Sequence, residues 1–212
     1  MTERRADRGR SFWERHAGRY DQSMALFGGP VPHMTALVAD AVRGAPRALE
    51  LASGTGLVTE AVAPVVGALL ATDYAESMVR ATRARVGHAE NVRCEVRDLY
   101  ALGEEAETFD AVIAANVLHL LPDLPGGLAA MRAVLAPHGK LVVPTYCHGQ
   151  NLRARVVSGG LSIVSFPVAH RFDLNGLVAA VVEAGFVVDQ SELIPGLLPI
   201  GFVVATPRSR AR

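Results

Sequence analysis

Ala48-Leu-Glu-Leu-Ala-Ser-Gly-Thr-Gly56 is the stretch whose reading decides the fold. Ala48–Leu51 reads as a short apolar strand, Ser53–Gly56 as a glycine turn, and a helical pattern begins near Leu57. A strand that turns through glycines into a helix opens a βαβ unit. The glycines let the backbone approach a ligand, and the helix start offers N–H groups and a positive dipole. Dinucleotide loops carry a third glycine in G-x-G-x-x-G, whereas Gly54 and Gly56 are followed here by Thr59. Glu50 also ends the strand. A carboxylate repels a pyrophosphate and attracts the cationic end of an amino acid.

The same alternation runs outward from this turn. A capping box at Ser11–Glu14 predicts a helix to about Tyr20, and an amphipathic pattern predicts another over 31–42. Strands are expected at 69–73, 92–96, 109–115 and 140–145, with helices at 76–86 and 128–136 between them. Asp173 caps a helix ending at Gly185. Phe186–Ile194 and 199–205 read as two last strands, and their short Pro195-Gly196 connection makes them antiparallel. The fold class is therefore α/β: a Rossmann-like three-layer sandwich with a seven-stranded, mostly parallel sheet and an antiparallel C-terminal hairpin. The expected organisation is a single domain over 11–206 between flexible tails at 1–10 and 207–212. Within it, 11–43 reads as a helical lid and 146–172 as a substrate-side insertion.

Composition narrows the function classes. Of 212 residues, half are apolar and a fifth charged, and the formal net charge is zero. Nothing basic favours nucleic acid or an anionic membrane. The longest apolar stretch, 61–72, is too short to span a bilayer. Cys94 and Cys147 make neither a disulfide framework nor a zinc set, so no metal is expected and the compartment reads as reducing and cytoplasmic.

Three further segments stand where a cofactor site would need them. Asp73 ends the second strand, 17 residues after Gly56, where a carboxylate can accept both hydroxyls of a ribose. Tyr74 and Met78 follow it, and Asp98-Leu99 follows the third strand. Phe109–Asp123 joins the fourth strand to a segment that begins at Asn116.

With these motifs in place, the chain resembles the class I methyltransferases that use S-adenosylmethionine (AdoMet), in their small-molecule branch with the quinone-biosynthesis enzymes. The resemblance covers roughly residues 12–145. It implies AdoMet as cofactor, with S-adenosylhomocysteine as product, and methyl transfer by in-line displacement to an O, N, S or C atom of a small molecule. It implies that Glu50 orients the methionine moiety while Ser53, Gly54, Thr55 and Gly56 lie along the cofactor. Ala52 stands where the family usually has a first glycine. Asp73 is implied for the ribose, Tyr74, Met78, Asp98 and Leu99 for the adenine, and Asn116 for the methionine end. Tyr20 is implied as a lid residue touching the methionine carboxylate.

Competing readings exist for several of these residues. Met78 equally fits ordinary helix packing, Tyr20 a core aromatic, and Asp98 a simple turn. His119 and His148 are the candidate catalytic side chains. His119 follows Asn116 at the sheet edge, where a structural role is also open, and His148 lies past the fifth strand. No nearby carboxylate orients His148, which favours alignment of donor and acceptor over base catalysis. Two other functions are compatible with parts of the pattern: a non-catalytic AdoMet-binding module, and an NAD-type oxidoreductase, which Glu50 and the missing third glycine oppose. The acceptor and the oligomeric state are not written in the sequence.

Overall fold

A computed structural model describes residues 30–87, 89–102, 108–151, 154 and 168–208. The predicted helix over 11–20, with Tyr20, lies outside these residues, as does most of the 146–172 segment.

Helix α1 (Pro30–Val42) leads into strand β1 (Arg47–Leu51), and α2 (Leu57–Val62) precedes β2 (Ala68–Asp73). Helix α3 (Glu76–Val86) precedes β3 (Val92–Val96) and β4 (Phe109–Ile113). Helix α4 (Leu124–Val134) precedes β5 (Leu135–Val142) and the two-residue β6 (Thr145–Tyr146), and α5 (Leu174–Glu183) precedes β7 (Phe186–Ile194) and β8 (Ile200–Pro207). The sheet order is β3-β2-β1-β4-β5-β8-β6, with β7 paired to β8. Strands β1 to β5 are parallel, and β8 is antiparallel to β5, β6 and β7.

The eighth strand has a local cause. Val143 N donates to Val203 O at 2.9 Å, continuing the β5–β8 ladder, but Pro144 has no N–H to give. Pairing resumes at Thr145 opposite Gly201. The fifth strand is thus one long strand interrupted by proline. Its start also differs from the sequence expectation: α4 runs straight into β5, and the register against β4 shifts between Phe109 and Ala111. Strand β8 continues to Pro207, past the expected 205.

Alternation along each strand divides the core in two. Leu49, Leu51, Val112, Leu141, Val203 and Ala205 form one cluster with Leu128 and Met131 of α4, Leu177 of α5 and Phe186 of β7. Ala48, Ile113, Val142, Phe202 and Val204 face the other way, against Met34 and Val38 of α1 and Val58 and Val62 of α2. By the same phase Glu50 points to the α1–α2 side. All five parallel strands end at one edge, where open α/β sheets bind ligands.

Candidate functional site

The β1–α2 turn is bent by three left-handed residues, Ala52 (φ 54°), Gly54 (φ 58°) and Gly56 (φ 84°). This explains the glycine that Ala52 replaces: the position needs a positive φ, which an alanine enters at about 1–2 kcal/mol. The neighbours hold it there. Ser53 N donates to Thr72 O at 2.9 Å, and Gly54 N to Asp73 Oδ2 at 3.0 Å. From α3, Thr82 Oγ1 donates to Gly54 O at 2.9 Å and Arg85 Nε to Thr55 O at 2.7 Å. Ser53 Oγ lies 3.2 Å from Thr82 Oγ1. Helix α2 itself is six residues long, without a side-chain cap at Gly56. The expected helix dipole is correspondingly small, and the charges of the site come from side chains.

Glu50 is 2% exposed and its Oε2 accepts a 2.6 Å hydrogen bond from Thr59 Oγ1. Burial pushes its carboxyl up to about 8; the Thr59 bond opposes this and the Asp73 charge adds to it. Asp73 is also buried, and it grips two backbone groups: Gly54 N on one oxygen and Ala75 N on the other, at 3.0 and 2.9 Å. It is a brace of the loop as well as a candidate ribose acceptor.

Asn116, like Ala52, is a non-glycine residue with a left-handed backbone, at φ 54°. Its N donates to Pro144 O at 2.7 Å and its Nδ2 to Met34 Sδ at 3.5 Å. Its Oδ1 is buried with no hydrogen-bond partner. Glu50 pairs in register with Ile113, three residues before Asn116. Among the described residues, a buried carboxyl without an ion-pair partner and an amide oxygen without a donor therefore lie towards the ends of neighbouring strands. An ammonium group is a partner that either one could take.

The remaining candidates are placed unevenly. Met78 is buried in the first turn of α3 and Tyr74 is half-buried beside it. Asp98 is exposed, and its Oδ1 accepts Tyr100 N at 3.0 Å in a turn; Leu99 packs partly against the core. His119 and His148, distant in sequence, come together with ring centroids 5.1 Å apart. Cys147 faces the core, where burial raises its thiol to about 11. Among the described residues no group of three or more His, Cys, Asp or Glu side chains could hold a metal, and no helix is long and apolar enough to cross a membrane.

Sequence reasoning missed Thr59, Thr82 and Arg85. Thr82 and Arg85 continue the face that Met78 opens, at spacings of four and three residues, and a polar pair on an otherwise packed face was the available signal. Thr59 had none, since it stands at the position of the absent third glycine.

The family described as "Methyltransferase domain" matches residues 48–139, the span from β1 through the start of β5. Over this span the chain is similar to methyltransferases. Among curated proteins, it is 34% identical over 116 residues to the ubiquinone/menaquinone biosynthesis C-methyltransferase UbiE of Teredinibacter turnerae, covering 52% of this chain and 47% of that protein. It is 30% identical over 121 residues to the hybrid PKS-NRPS synthetase lepA of Aspergillus flavus, covering 53% of this chain but 3% of that protein. The chain thus spans about half the length of the first relative and a small part of the second. Among solved structures, the N-methyltransferase NodS of Bradyrhizobium japonicum, in complex with S-adenosyl-L-homocysteine, superposes with a TM-score of 0.76 at 16% identity, covering 94% of this chain and 98% of that one. That likeness is one of fold.

Proposed function

We propose that this chain catalyses AdoMet-dependent methyl transfer to a small molecule. The observation that carries the reading is that Glu50, buried with its carboxyl raised, and the orphaned Oδ1 of Asn116 both lie towards the carboxyl ends of neighbouring strands, where the glycine loop and Asp73 also converge. The matched methyltransferase domain includes all four features.

AdoMet, when bound, supplies an electrophilic methyl group on a sulfonium sulfur. Every other requirement falls to the protein. Glu50 and Asn116 Oδ1 hold the ammonium end. Ser53, Gly54, Thr55 and Gly56, with Ala52 beneath them, form the wall along the methionine chain. Asp73 retains acceptor capacity beyond its two backbone donors, because each carboxylate oxygen carries two lone pairs, and takes the ribose hydroxyls. Tyr74, Met78, Asp98 and Leu99 border the adenine. Tyr20, outside the described residues, is proposed for the lid. Holding donor and acceptor in line supplies much of the rate, since well-oriented reactions reach effective molarities on the order of 10⁵–10⁸ M.

Isothermal calorimetry tests the reading. AdoMet and S-adenosylhomocysteine bind, and NAD and NADP do not. Tight NAD binding with no response to AdoMet overturns it. Incubation with methyl-labelled AdoMet and a mixed small-molecule extract, followed by mass spectrometry of labelled products, separates an enzyme from a binding module.

A further inference from the structure

Three rings meet beyond the carboxyl ends of β4 and β6. His119 lies in the turn after β4, Tyr146 ends β6, and His148 follows two residues later. The His119 ring stands 5.1 Å from His148 and 5.9 Å from Tyr146, and Tyr146 stands 6.3 Å from His148, centroid to centroid. His148 is fully buried, and neither Nδ1 nor Nε2 has a hydrogen-bond partner. Leaving a buried polar atom unmet costs about 1–3 kcal/mol, so a ring with two such atoms is an expensive way to fill space. A phenyl ring would pack there without that cost.

Burial, aided by the positive charge of Arg171, pushes the His148 imidazole down to about 4, and His119 is held lower than its ordinary value by burial, His148 and His170. A neutral imidazole carries one N–H donor and one bare acceptor nitrogen. A carboxylate can meet the N–H but not the bare nitrogen. An ammonium can meet the bare nitrogen but not the N–H, and it faces Arg171. A hydroxyl can meet either nitrogen in either tautomer.

Resting on the methyltransferase reading, we propose that the His119–Tyr146–His148 cluster is the acceptor-binding side of the site, and that His148 engages an uncharged, hydroxyl-bearing molecule. His148 then binds and aligns the acceptor by hydrogen bonds. The rings of Tyr146 and His119 hold it in place, which is how it does without an orienting carboxylate.

The test uses the full chain saturated with S-adenosylhomocysteine and ¹⁵N-labelled at histidine. Phenol, benzoate and benzylamine present one ring with a neutral, an anionic or a cationic group. Phenol is expected to move the His148 ring nitrogens, and its affinity to fall tenfold or more in His148→Phe. His148→Gln, whose amide offers both a donor and an acceptor, is expected to recover part of that loss. Benzoate or benzylamine moving His148 more than phenol does, no probe moving it at tens of millimolar, or equal phenol affinity in His148→Phe would each overturn the proposal. Failure of S-adenosylhomocysteine to bind at all defeats the underlying methyltransferase reading. Normal cofactor binding with a silent His148 defeats this inference alone.

Discussion

Ala52 occupies a backbone region that glycine enters freely and alanine does not. Replacing it with glycine relieves about 1–2 kcal/mol of strain and gives back about 0.4–1 kcal/mol through the looser unfolded chain. The expected net effect of Ala52→Gly is a gain of up to about 1.6 kcal/mol, read as a higher denaturant midpoint. Ala52→Val, branched at Cβ, is expected to lose stability at the same position. Either sign reversed would mean that the loop does not adopt this turn in solution. At Glu50 the proposed role rests on charge. Glu50→Gln keeps the shape and can still accept from Thr59, but it cannot become an anion. A charged hydrogen bond is worth about 1.5–3 kcal/mol, so AdoMet affinity is expected to fall about 10- to 150-fold in calorimetry. Unchanged affinity would remove Glu50 from the ammonium site. These roles were legible to different degrees. Glu50 stood out because an acid is unusual in an apolar strand. The strain at Ala52 was not visible, because no sequence rule reports a φ angle.

Helix α3 acts on the site without lying at its centre. Thr82 and Arg85 pin the carbonyls of Gly54 and Thr55, and a Cβ on Gly56 would stand 3.0 Å from the Thr82 backbone. The β1–α2 turn and α3 therefore form one unit. Thr82→Val leaves Gly54 O unmet and is expected to cost about 1–2 kcal/mol of stability, with a measurable loss of cofactor affinity. Gly56→Ala combines a crowded Cβ with a positive φ and is expected to be the more damaging change, to be compared by thermal melts of both variants. Asp73→Ala loses two backbone contacts along with any ribose contact. A lower melting temperature should accompany its weaker binding, while Asp73→Asn separates the two effects. The boundaries of α3, β3 and β7 fall at the residues expected from the sequence. Those of α4 and β5 do not, because Pro137-His138-Gly139, which reads as a helix stop, falls inside a bulged strand.

Across the whole molecule, buried titratable groups pull stability in opposite directions. The raised Glu50 carboxyl stabilises the fold at low pH, and that contribution is lost as pH climbs from its ordinary range through about 8. The lowered imidazole of His148 stabilises above about 6.5, and that contribution is lost as pH falls towards 4; His119, also lowered by burial, acts in the same direction. Two rising slopes outweigh one falling slope below about 6.5, and above it the Glu50 slope stands alone. The cofactor-free protein should therefore be most stable near pH 6.5. In Glu50→Gln the decline from there to pH 8, at most about 1.4 kcal/mol per pH unit for one group, should flatten. Denaturant midpoints across pH 5–9 check this, and parallel profiles for the two proteins would refute it. The overall alternation of strands and helices, and the antiparallel end, could be read directly from the sequence. The meeting of His119 with His148 could not, because it depends on where β4 and β6 end in space.

Strand β8 fills the gap between β5 and β7, and it begins at Ile200 although β5 ends at Val142. On the ribosome, β5 is made long before the strand that covers its outer edge. At roughly 5–20 residues per second, the intervening chain takes about 3–12 s to emerge. Throughout that interval the nascent sheet shows a bare, apolar edge, Leu141-Val-Val143, to every other chain in its surroundings. Synthesis rate and chaperone supply, rather than the equilibrium stability of the finished domain, should then govern how much of this protein reaches its native state.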